Sequence, residues 1–147
     1  MSQHVVQVAN IVSANPKIVW KALTTPESLK TYFFGTDVET DWKVGSDVRF
    51  HGEWKGKKYT DKGQIECFKP EEQLSFTHWS AMSGNEDKPE NYHTVTFDLE
   101  PVSNGTKVTL SQDNADNSEP VSDKAREEFT KNWQMMLDGL KKTVERH

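Results

Sequence analysis

The sequence predicts an α+β fold: a curved antiparallel sheet, two short helices near its start, and one long C-terminal helix across it. Three observations lead there. Between residues 47 and 113, apolar and polar side chains alternate at period two, as in antiparallel strands with one buried and one wet face. Asn15-Pro16 and Thr25-Pro26 each set a capping side chain before a proline, a helix-start signal. Near the end, Phe129, Trp133, Met136, Leu137, Leu140 and Val144 share one face at helical spacing.

Taken in order, residues 4–13 (HVVQVANIVS) are rich in β-branched side chains and read as a first strand. In NPKIVWKAL, Asn15 is the N-cap, and Ile18, Val19, Ala22 and Leu23 follow at helical spacing. TPESLKTYF opens a second short helix at Thr25 and Pro26. DVRFHGEW (47–54) turns Val48, Phe50, Gly52 and Trp54 to one face. KKYTDKGQIECFKP (57–70) does the same with Tyr59, Gly63, Ile65 and Cys67, which places the Cys67 thiol inward. QLSFTHWS (73–80) aligns Leu74, Phe76 and His78, and NYHTVTFDLEP (91–101) aligns His93, Val95, Phe97 and Leu99. TKVTLSQD (106–113) ends the series after an Asn104-Gly105 turn. The last segment is an amphipathic helix of about 25 residues, roughly 37 Å long. Only the apolar face of the sheet can cover it. Gly139 interrupts it, where glycine costs about 1 kcal/mol against alanine. Either a strand approaches closely there or space is left for a ligand.

At 147 residues the chain is read as one domain, residues 1–147, large enough to bury a core. Mean hydropathy is low, −0.83, but five tryptophans argue against disorder. A net charge of −5 offers no basic groove for phosphate backbones, and the densest basic cluster, KGKK at 55–58, suits a solvated hairpin turn. No apolar run reaches the ~20 residues of a membrane span, and no secretory signal is visible. With a single cysteine, Cys67, the expected location is cytoplasmic.

Three stretches carry a family resemblance: SANPKIVWKALTTPESLKTYF, KGQIECFKPEEQLSFTHW and NWQMMLDGLKKTVE. Their order resembles the helix-grip fold of the START-like (SRPBCC, Bet v 1-like) superfamily. Within it, the chain resembles the activator of 90-kDa heat-shock-protein ATPase homologue family in its bacterial stand-alone form. The resemblance implies a cavity between sheet and C-terminal helix that binds a small apolar or amphipathic molecule, lipid- or polyketide-like. It also leaves open contact with a chaperone ATPase, for which the acidic stretches 85–90 and 113–123 are the candidate surface.

The residues offer their own candidates. Phe50, Trp54, Tyr59, Phe76, Val95, Phe97, Trp133, Met136, Leu137 and Leu140 form the apolar wall, and Phe33, Phe34 and Trp42 lie near one mouth. His78 and His93 fall on the inward parity of neighbouring strands. If Trp79 pairs with Tyr92, the two rings face each other with Cβ atoms about 5 Å apart. They would orient a ligand's hydroxyl or carbonyl, act as acid and base, or begin a metal site with Asp61, the nearby inward carboxylate. No GxSxG, GxGxxG, P-loop or HExxH motif is present, so no catalytic residue, metal ligand or cofactor is assigned. A cyclase- or hydrolase-type enzyme using these histidines is the alternative to a binding protein.

Overall fold

The computed structural model describes residues 6–32, 35–80, 86–88, 91–114 and 122–145. In chain order these form β1 (Val6–Val12), α1 (Pro16–Leu23), α2 (Pro26–Tyr32), β2 (Asp37–Thr40) and β3 (Asp47–Trp54). Next come β4 (Lys57–Lys69), β5 (Gln73–His78), β6 (His93–Val102), β7 (Gly105–Asn114) and α3 (Asp123–Glu145). All seven strands join one antiparallel sheet in the order β1-β7-β6-β5-β4-β3-β2. Each strand from β2 to β7 lies beside its sequence neighbour, and the chain crosses the sheet only from β1 to β2, through α1 and α2.

Local chemistry explains most boundaries. Asn15 caps α1, its side chain accepting from the Ile18 N–H at 3.0 Å, with Pro16 in the first turn. Thr25 does otherwise than the sequence suggests: its hydroxyl donates back to the Lys21 carbonyl of α1. The β3–β4 hairpin turns on Lys55 and Gly56, at φ 51° and 79°. Both central residues of a tight two-residue hairpin loop need positive φ. β2 is an addition to the sequence reading: its four residues, DVET, carry too short a pattern to announce a strand.

One register irregularity changes which side chains face the core. Ile65 lies opposite Phe76, but the next pair is Cys67 with Ser75, so Glu66 is an extra residue on β4. The inserted residue reverses the alternation. Phe68 turns inward, its ring 5.2 Å from Trp20 and 6.3 Å from Trp42, while Cys67 turns to the outer face beside Gln73. The inward placement of Cys67 is therefore corrected.

α3 lies across the concave face with Trp133, Met136, Leu137, Leu140 and Val144 buried. Its C-terminal half is tied to β1: the Asn10 amide donates to the Leu137 carbonyl at 2.8 Å, and Lys141 Nζ to the Ile11 carbonyl at 2.8 Å. The gap at Gly139 is filled by α2. A Cβ there would lie 3.0 Å from Tyr32 Cβ, so glycine serves close packing of a helix, neither a strand nor a ligand. No helix among the described residues is long and apolar enough to cross a membrane. Phe33, Phe34, the Trp54 side chain, and residues 85, 89–90 and 115–121 of the two acidic stretches lie outside the described residues.

Candidate functional site

The concave face divides into an apolar floor and a polar end. On the floor is a small void of about 20 Å³. It is bounded by the predicted residues Phe50, Phe76, Phe97 and Met136, together with Leu23, Leu29, Val38, Trp42, Val48, Ile65 and Leu74. That volume is near the minimum for one water molecule, and a wholly apolar lining gives water no partner, so the void is dry. The void sits where α1, α2 and β2 close against β3–β6, so Met136 is its one lining residue from α3.

The remaining predicted wall residues lie elsewhere. Val95, Leu137 and Leu140 are fully buried core. Trp133 is buried, and its Nε1–H donates to Gln112 Oε1 at 2.7 Å. Tyr59 lies half-buried with its ring over Gly52, opposite it in the β3–β4 ladder. Sequence reading missed the contribution of Leu23, Leu29, Val38, Val48, Ile65 and Leu74; the inward parity of Val48, Ile65 and Leu74 is legible, but their position beside an unfilled volume is not.

The polar end begins two residues beyond Phe76 and Val95. His78 lies opposite His93 in the β5–β6 ladder. His78 Nδ1 shares a hydrogen bond with His93 Nε2 at 3.0 Å, and His78 Nε2 one with Asp61 Oδ2 at 3.2 Å. The three side chains thus form a chain from β4 to β6. Asp61 and His78 retain only 11% and 14% of their side-chain exposure, and Asp61 is the sole buried carboxylate among the described residues. Burial, with the neighbouring His78 second, pushes His93 down to about 3, although Asp61 pulls the other way. His93 is neutral at ordinary pH.

Gly63 makes this chain possible. A Cβ there would lie 1.7 Å from the Thr77 carbonyl oxygen, so β4 crosses β5 more closely than any other residue permits. Beside it, the Thr77 hydroxyl accepts from the Gln64 N–H at 2.9 Å. This close approach holds Asp61 within reach of His78. A further polar pair continues the end: half-buried Asn114, opposite His93 in the β6–β7 ladder, accepts from buried Gln112 Nε2 at 3.2 Å. Gln112 shares the inward parity of Val108 and Leu110, a signal the sequence carried.

The ring stack joins floor to polar end. His78 meets His93 at 4.8 Å between ring centres and Phe50 edge-on at 5.1 Å, and Phe50 meets Phe76 at 5.5 Å. The two histidines direct a nitrogen of each ring at the other, which suits a relay more than a chelate. Among the described residues no group of three or more His, Cys, Asp or Glu side chains could hold a metal ion.

Comparison with known proteins agrees with this architecture. The family model described as "Activator of Hsp90 ATPase homolog 1-like protein" matches residues 13–145. The solution structure of ChR145 from Cytophaga hutchinsonii is 42% identical, over 99% of this chain and 97% of that one, with a TM-score of 0.82. The Aha1 dimer from Colwellia psychrerythraea is 22% identical over 95% of each chain, with a TM-score of 0.73. Ara h 8.0201 is 13% identical over 96% of this chain and 97% of that one, at a TM-score of 0.75, and shares the helix-grip fold. No curated protein matches. The chain belongs to the Activator of Hsp90 ATPase homolog 1-like family.

Proposed function

We propose that the chain, as one START-like domain, binds a small hydrophobic or aromatic molecule between the sheet and α3. The observation that carries this reading is the small, wholly apolar void beside the Asp61–His78–His93 chain, in which Asp61 is buried and both imidazoles are half-buried. A core built for stability alone gains nothing by burying a carboxylate and drawing two imidazoles half out of water. Ligand sites, in contrast, are mostly apolar with a few placed polar groups.

At about 20 Å³ the void holds no drug-sized molecule, so binding selects a more open arrangement. α2 is the wall best suited to move. It has seven residues, of which Leu29 and Tyr32 are buried, and it meets α3 at Gly139. A ligand that buries roughly 300 Å² of apolar surface gains about 7 kcal/mol at 25 cal/mol per Å², from which opening and ordering costs are subtracted. A reducing, cytoplasmic setting suits a chain whose lone cysteine is unpaired and half-buried.

An amide NMR titration against lipids, flavonoid-like aromatics and polyketide-like compounds tests the reading. Shifts centred on Leu29, Phe50, Phe76 and Met136 are expected. Silence at these residues across the whole panel would show that the core is filled and the reading wrong.

A further inference from the structure

The hydrogen-bond chain at the polar end has a direction. A carboxylate only accepts, so Asp61 takes the Nε2–H of His78. A neutral His78 then presents a lone pair at Nδ1, and His93 fills it with its own Nε2–H. The remaining nitrogen of the chain, His93 Nδ1, is left as a bare lone pair. It has no hydrogen-bond partner among the described residues. It is not sealed either, because the only side-chain nitrogen or oxygen among them that is both sealed and unpartnered is Asn10 Oδ1.

We infer that His93 Nδ1 is an acceptor for the hydroxyl of a phenol or enol whose apolar body lies against Phe50 and Phe76. This rests on the ligand-binding reading above and names the ligand's chemistry. An ether or ketone offers only lone pairs and would face another lone pair. The chain also accommodates an acidic hydroxyl. As the ligand O–H breaks, His93 Nδ1–H forms, His93 Nε2–H breaks and His78 Nδ1–H forms. The product is a ligand oxyanion, a neutral His93 and a cationic His78 held against Asp61. The low proton affinity of His93 suits a ring that passes a proton on rather than keeping it.

Three matched probes test it: naphthalene, 2-methoxynaphthalene and 2-naphthol, each titrated into the full chain at neutral pH with affinities read from amide shifts. 2-Naphthol is expected to bind roughly tenfold more tightly than its methyl ether, the upper end of one net hydrogen bond. His93→Leu is expected to abolish that preference, so that 2-naphthol and 2-methoxynaphthalene bind alike. Equal affinities for naphthol and ether would overturn this inference while the ligand-binding reading stands. Failure of all three to bind would overturn this inference, whereas the ligand-binding reading falls only to silence across the wider panel of lipids and aromatics. Imidazole ¹⁵N spectra of the unliganded protein give a measurement independent of any variant. They are expected to show His93 as the Nε2–H form with Nδ1 bare, and a protonated Nδ1 would overturn the inference.

Discussion

Acid should weaken this fold through His93 in particular. Its folded value lies at about 3, against about 6.5 for an unperturbed imidazole. Between those values the unfolded chain carries a proton on this ring that the folded chain does not. Stability contributed by the neutral ring is thus present above pH ~6.5 and falls as the pH drops toward 3. Well inside the window each pH unit costs about 1.4 kcal/mol, and because the unfolded ring is only half protonated at pH 6.5, going from pH 6.5 to 4.5 costs about 2.3 kcal/mol from this one group. The assay is urea denaturation at pH 7.5, 6.5, 5.5 and 4.5, for the natural chain and for His93→Leu. The variant leaves His78 Nδ1 without its partner, a loss of about 1–3 kcal/mol at every pH. The test therefore lies in the slopes. The natural chain should lose about 2 kcal/mol more than the variant between pH 6.5 and 4.5, a partial sum that allows for the ring's remaining exposure. Parallel slopes, or an NMR titration of the His93 ring with a midpoint near 6.5, would refute the reasoning.

Two further outcomes follow from the same geometry. Gly63→Ala would push a methyl to 1.7 Å from the Thr77 carbonyl, which is backbone and cannot swing aside. A loss above about 3 kcal/mol is expected in denaturant unfolding, and a change within 1 kcal/mol would show that β4 and β5 do not cross so closely. Met136→Ala would enlarge the void at its α3 wall. It should cost about 2–5 kcal/mol and let benzene raise the melting temperature, as dry engineered cavities do. A variant as stable as the parent and indifferent to benzene would place Met136 outside any void.

Period-two alternation carried the sheet and also the polar end. It put His78 and His93 on one face and nominated Asp61, and the ladders join all three because register transmits parity from strand to strand. Alternation fails where its own counting breaks. Glu66 adds one residue to β4, and from there Cys67 and Phe68 exchange faces with nothing in ECF to announce it. β2 fails for the opposite reason, being too short to alternate. Gly139 shows a third limit: a missing side chain tells that something comes close, but only the crossover of α2 decides that Tyr32 is what comes.

The void is illegible for a deeper reason. It is a difference of about 20 Å³ left when eleven large side chains from nine parts of the chain have been packed, and no local pattern encodes such a remainder. The polar chain is encoded more plainly, since hydrogen-bonding groups must be satisfied pair by pair. Functional reading of this chain thus rests more firmly on the buried carboxylate and its two imidazoles than on the size of the space beside them. A protein that needed only a filled core could place apolar residues at 61, 78 and 93, as it does at 65, 76 and 95 on the same strands.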